Sequence, residues 1–259
     1  MFDRGSGPPV IVIPGVQGRW EWMRPPLEAL SRTCRVISYS LSGEIGSGFR
    51  IDPELGFDNY LHQLDAIVER TRPGRAILCG VSYGGMIAVR YAAAHPDRVS
   101  GVVIVSSPSP GWTPSPRQRA YIARPWLSAP AFVATGPFRL WPEIRTALPD
   151  WRMRLRFALK YTARVVSAPA IPSLMALRVH QQQAVDLRAD CDRMHAPTLV
   201  ITGDERLDRV VPVQSTRRYC EFIPAARHVT MTGTGHIGLI TQPERFAELV
   251  GKFAHAHHH

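Results

Sequence analysis

Short runs rich in Val and Ile alternate along the chain with segments whose apolar residues recur at helical spacing. The runs fall at residues 10–13, 35–40, 76–79, 102–106, 198–202 and 228–232. Most are apolar almost throughout, the pattern of strands buried on both faces. Between them, Phe57, Tyr60, Leu61, Leu64, Ile67 and Val68 mark one face of a helix that Pro73-Gly74 ends. Residues 84–94 are Ala-rich and stop at His95-Pro96, and Phe246, Leu249, Val250 and Phe253 form the stripe of a final helix. Such alternation predicts an α/β fold, a mostly parallel sheet flanked by helices.

The alternation breaks between residues 112 and 190. That stretch holds nine prolines and four of the six tryptophans, with helix-like pieces at 151–165 and 172–185 and no clear strand. It reads as a helical lid inserted into a core made of residues 1–111 and 191–259. The terminal His-Ala-His-His-His at 255–259 reads as a tag remnant or frayed tail and enters no mechanism.

With 259 residues, 45% apolar and 20% charged, the chain is long enough to bury a core without a metal or disulfide, and its composition excludes wholesale disorder. No apolar run approaches the ~20 residues of a membrane span. The first residues lack the basic-then-apolar pattern of a secretory leader. Cys34, Cys79, Cys191 and Cys220 lie far apart. They read as reduced, buried thiols of a cytoplasmic protein, and a structural zinc site is not expected. The net charge is +10, and residues 112–190 carry twelve Lys/Arg against four acids, +8 of that total. The plain reading is a solvated Arg-rich surface. The sharper one is a field that steers an anionic substrate or an acidic surface. No nucleic-acid motif accompanies it.

The sharpest local signal is Gly80-Val81-Ser82-Tyr83-Gly84-Gly85, which follows a predicted strand and opens a predicted helix. Small neighbours let a serine ride a tight, strained turn with its hydroxyl above the sheet, and GxSxG in this context is a nucleophile elbow. A nucleophilic serine needs a base, and the base an orienting acid, in the chain order Ser, acid, His. His236, between Gly235 and Gly238 after the last strand, is the candidate base, whereas His228, inside the strand pattern, reads as structural. The acid belongs in the loop after residues 198–202. Asp208 stands before Val210-Val211-Pro212 and is favoured; Asp204 and Glu205 remain open. An oxyanion hole would take one backbone N–H from Tyr83 and one from the loop Pro14-Gly15-Val16-Gln17-Gly18-Arg19-Trp20, Val16 before Gln17.

Together these residues resemble the α/β-hydrolase superfamily over nearly the whole chain. Residues 80–99 are especially similar to enol-lactonases, carbon–carbon bond hydrolases and carboxylesterases. The resemblance implies an α/β-hydrolase fold with a lid between core strands, and puts Ser82, Asp208 and His236 at the triad positions. It implies hydrolysis of an ester, lactone or thioester of a small-molecule substrate, with no metal or organic cofactor. Carbon–carbon cleavage, cofactor-free oxygen chemistry and ligand reception without turnover are the alternatives on the same fold. Two departures stand out. Many relatives carry His-Gly where this chain has Pro14-Gly15, so a residue that helps order the oxyanion loop is missing. Relatives also have two antiparallel strands before the first Val/Ile run, and nine residues precede it here. Either the sheet edge is trimmed or the sequence given begins late, and a trimmed edge would offer a strand for homodimer pairing.

Overall fold

The computed structural model describes residues 1–71 and 74–258. The Val/Ile runs become β2 (Pro9–Ile13), β3 (Arg35–Ser38), β4 (Ala76–Val81), β5 (Val99–Val105), β6 (Thr198–Thr202) and β7 (Ala226–Thr230). They are preceded by β1 (Phe2–Arg4), and the seven form one sheet in the order β1-β3-β2-β4-β5-β6-β7. Every pairing is parallel except that of β1, which runs antiparallel to β3 with Phe2 opposite Ser38. The edge of β3 is therefore covered by one antiparallel strand, where the resemblance implied two. The hydrophobic pattern does not reveal β1, because Phe2 is its single fully buried residue. Pro73, expected to end a helix with Gly74, lies outside the described residues, as does His259.

Strand residues divide between two cores by simple alternation. Val10, Val12, Val36, Cys79 and Val103 face one layer, where Leu27 and Leu30 of α1 (Arg24–Leu30) meet Phe246, Val250 and Phe253 of α12 (Pro243–His257). Ile11, Ile13, Ile37, Leu78 and Ile104 face the other layer, covered by Tyr60 and Leu64 of α2 (Asp58–Val68) and by Ile87 and Tyr91 of α3 (Tyr83–Ala94). β2, β4, β5 and β6 are buried along their whole length, while the edge strand β7 is half-exposed. The final helix extends through His257, so His255 and His257 are helical, and His255 Nε2 lies 2.9 Å from the Thr33 carbonyl oxygen. Cys34, Cys79 and Cys191 are buried free thiols, but Cys220 is only half-buried.

Between β5 and β6 the chain forms α4 (Pro116–Ala123), α5 (Pro125–Ala147), α6 (Trp151–Ser167), α7 (Pro172–Gln181) and α8 (Leu187–Asp192), with no strand among the described residues of this insertion. Ser115 caps α4 in a reciprocal pair with Gln118, and Asp150 caps α6 by accepting the Arg152 N–H at 2.9 Å. α5 runs 23 residues despite Pro130, Pro137 and Pro142. No helix among the described residues is long and apolar enough to cross a membrane. Short helices α9 (Val213–Arg217) and α10 (Tyr219–Phe222) precede β7, and α11 (Gly238–Thr241) follows it.

Candidate active site

Every residue singled out for chemistry lies in a loop that leaves the C-terminal end of a parallel strand, where open α/β sheets place their ligands. Ser82 follows β4, the 14–18 loop follows β2, Asp208 follows β6, and His236 follows β7. Ser82 has φ 52° and ψ −120°, a left-handed conformation that costs a non-glycine residue about 1–3 kcal/mol. Its backbone is held on both sides: its N–H donates to the Val105 carbonyl at 2.8 Å, and its carbonyl accepts from Gly85 N–H at 2.9 Å. The glycines are required by close approach, since a Cβ on Gly84 would collide with the carbonyl oxygens of Ile13 and Pro14. Tyr83, the first residue of α3, sends its ring 5.7 Å from those of Phe57 and Tyr60. Its N–H is one of those a helix start leaves without an internal partner.

Asp208 and His236 meet. His236 Nδ1 lies 3.2 Å from Asp208 Oδ2, and the two side chains are 12% and 1% exposed. The other carboxylate oxygen accepts the N–H groups of Val210 and Val211, both at 3.0 Å. Burial pushes the Asp208 carboxyl upward, but the His236 ring and these two N–H groups outweigh it and hold it below the ordinary value. Burial likewise opposes charge on His236, yet Asp208, and more remotely Glu143, raise it above the usual imidazole range. Asp204 does not reach the ring. Its carboxylate accepts Gly233 N–H at 2.7 Å and its N–H donates to the Thr234 carbonyl at 2.8 Å, so it ties the β6 loop to the β7 loop. Glu205 is exposed. His228 sits in β7 with Nε2 2.9 Å from Thr202 Oγ1.

The 14–18 loop closes on itself through Gly18 N–H to the Gly15 carbonyl at 2.8 Å. It passes directly over the elbow: a Cβ on Gly15 would lie 3.3 Å from Ser82 Cβ. Arg178 of α7 holds this loop. Its Nη1 donates to the Val16 carbonyl at 2.9 Å and to Glu44 Oε1 at 2.8 Å, and its Nη2 to the Ser42 carbonyl at 3.3 Å. Arg178 and Glu44 are fully buried. A side chain on Gly18 would meet the Arg178 guanidinium at 2.7 Å.

A second buried charge descends from the insertion on the opposite side. Glu143 of α5 is fully buried, and its Oε2 accepts Ile237 N–H at 3.1 Å, directly beside His236. Its Oε1 is buried without a hydrogen-bond partner. Burial pushes the Glu143 carboxyl up to about 7, against the pull of the Gly235 and Ile237 N–H groups. Neither Arg178 nor Glu143 carried a sequence signal beyond being a lone charge in an apolar stretch. A cavity of about 440 Å³ opens between residues 108–114 and 182–187, with Met86 and Arg119 in its wall; Ser82 and His236 are not among its lining residues.

Residues 10–249 match the profile described as the Alpha/beta hydrolase family. The chain is 26% identical over 254 residues to the pimeloyl-(acyl-carrier protein) methyl ester esterase of Nitrosomonas europaea, covering 93% of this chain and 94% of that one. Among solved structures, the esterase EaEST from Exiguobacterium antarcticum superposes with a TM-score of 0.79 at 19% identity, covering 98% of this chain and 94% of that one. The enol-lactonase from Burkholderia xenovorans LB400 superposes with a TM-score of 0.75 at 22% identity, covering 97% and 94%.

Proposed function

The chain belongs to the alpha/beta hydrolase family and is a hydrolase of that type; from this premise we propose that it is a serine hydrolase that cleaves a carboxylic ester through an acyl-enzyme on Ser82. The observation that carries the reading is the buried Asp208–His236 pair, set on the same sheet end as a serine held at φ 52°. The esterase named among the relatives supports an ester as the substrate class.

In this mechanism His236 is the base. Its Nδ1 is engaged by Asp208, so Nε2 is the nitrogen left to take the Ser82 proton. The Ser82 oxygen bonds to the substrate carbonyl carbon, and the N–H groups of Val16 and Tyr83 receive the oxyanion. The proton on His236 passes to the leaving alkoxide as the carbon–oxygen bond breaks. Water, losing a proton to His236, then releases the acid and restores Ser82. Asp208 stays ionised because its carboxyl is held low, and it stabilises the charged imidazole that forms at each transfer. The helical insertion acts as a lid whose buried Arg178 and Glu143 brace the oxyanion loop and the histidine loop, and its surplus of arginine favours substrates with a negative group.

Intact-mass analysis after fluorophosphonate treatment, beside a panel of chromogenic esters, tests the reading. One covalent adduct and ester turnover, both lost in Ser82→Ala, are expected. A parent protein that neither takes up the probe nor turns over any ester, while retaining its fold by circular dichroism, would remove the proposal.

A further inference from the structure

Among the described residues, ten of the fourteen exposed large hydrophobic side chains lie between positions 126 and 166, on α5 and α6. Their placement is regular. On α6, Trp151, Leu155, Leu159 and Val166 recur along one face and are 61, 50, 63 and 73% exposed. Arg152, Arg156 and Lys160 form a parallel row one residue along, and all three are exposed. On α5, Trp126, Leu127, Val133, Phe138 and Trp141 are exposed. The two helices are joined at this end, with the Arg154 guanidinium 5.9 Å from the Trp141 ring centre.

These side chains are not the helices' only apolar faces. α5 already turns Leu140 and Ile144 onto the core, and α6 turns Phe157 and Tyr161 onto it, with the Tyr161 ring 6.3 Å from that of Trp22. The outward stripes are therefore a second apolar surface, which a water-exposed helix does not ordinarily carry. The surface is also strongly basic. Residues 124–167 hold eight Lys/Arg and two acids, and no Asp or Glu occurs from 151 to 185. One of those acids, Glu143, is buried, and the other, Asp150, caps α6.

We propose that the outer face of α5 and α6 docks on an anionic lipid bilayer, its Trp, Phe and Leu side chains entering the headgroup boundary and its Arg and Lys side chains meeting lipid phosphates. An aromatic and aliphatic stripe flanked by a basic row is the design of a helix lying in a membrane interface. Charge selects this occupant over a second copy of the chain, since two such faces would bring like charges together. The apolar stripe selects it over nucleic acid, whose phosphates need the basic row alone. The inference does not depend on the chemistry assigned to Ser82, and its test does not read activity.

The full chain is sedimented with phosphatidylcholine vesicles made with and without phosphatidylglycerol. Pelleting is expected with the anionic vesicles and should weaken as salt screens the charges. Phe138→Ser/Leu155→Ser/Leu159→Ser is expected to lower vesicle affinity at least about tenfold by removing apolar surface. Arg152→Gln/Arg156→Gln/Lys160→Gln is expected to abolish the preference for anionic vesicles. All the altered side chains except that of Leu155, which is half-exposed, are well exposed, and circular dichroism melts check that the variants fold. Failure of the parent to pellet, or variants that pellet as the parent does, would overturn the proposal. So would retention on a polyglutamate matrix without vesicle binding, which assigns the face to an acidic protein, or a dimer in sedimentation velocity that both variants dissociate.

Discussion

Asp204 and Asp208 sit four residues apart on one loop, and their neighbours give them different work. Asp204 accepts a backbone N–H from Gly233, whereas Asp208 faces the His236 ring. Asp208→Asn is expected to lower kcat by about 10³–10⁴-fold, because the amide no longer stabilises the charged imidazole. Asp204→Asn is expected to cost about 0.5–1.5 kcal/mol of stability through a weakened, partly buried hydrogen bond, with little change in kcat. Steady-state kinetics and denaturant melts of both variants separate the roles, and equal kinetic losses would mean that the acid is misassigned. Glu143 gives a prediction with a definite sign. Its carboxyl is raised in the folded state to about 7. The native protein thus holds this proton more tightly than the unfolded chain does, and stability is lost as pH rises through about 7. Each pKa unit is worth ~1.4 kcal/mol, so the penalty above neutrality is about 3 kcal/mol. Glu143→Gln keeps an oxygen for the Ile237 N–H and removes the charge. It should raise Tm clearly at pH 8 and hardly at pH 4.5. Because ionised Glu143 helps to raise His236, the variant's acid limb of kcat/KM should move to lower pH. A pH-independent change in Tm would exclude this account.

Among the elements, what was legible in the sequence follows from where each one's partners lie. β2, β4, β5 and β6 are buried on both faces, so their Val and Ile runs identify them without any long-range information. Ser82 and His236 each sit in a local glycine-bracketed turn, and chain order supplied the rest. β1 was hidden because three residues with one buried Phe carry no period. α5 was hidden because Pro130, Pro137 and Pro142 lie inside it, and an internal proline both removes a backbone donor and crowds the carbonyl four residues earlier, so no regular helical pattern marks it. Arg178 and Glu143 were hidden for a different reason: they act on Val16, 162 residues away, and on Ile237, 94 residues away. No local pattern encodes such contacts. The Arg178–Glu44 pair that fastens α7 to the 14–18 loop is fully buried, so losing one partner leaves the other charge without compensation. Arg178→Met is expected to cost about 3–5 kcal/mol, and Arg178→Met/Glu44→Met to recover most of it. Denaturant titration of the four proteins in this cycle measures the coupling, and additive losses would show that the two charges do not support one another.

For the molecule as a whole, the informative quantity is the distribution of charge. Residues 112–190 carry +8 of the net +10, leaving the sheet core close to neutral. Of the two edge strands, β1 is three residues long and β7 carries Arg227 and His228. The arginines instead project a positive field from the insertion, and Arg119 brings one of them into the wall of the cavity beside α3. A field of this kind acts on the encounter and not on the chemical step. Esters bearing a carboxylate should therefore show kcat/KM values that fall several-fold or more as ionic strength rises, while neutral esters of the same size stay nearly constant. Arg119→Gln should raise KM for the anionic esters and leave kcat unchanged, because the residue lies outside the Asp208–His236 pair. Parallel salt titrations of kcat/KM on matched anionic and neutral esters decide the matter. Identical salt slopes for the two would mean that the insertion's charge is turned away from the substrate's approach, and that specificity rests on the shape of the pocket alone.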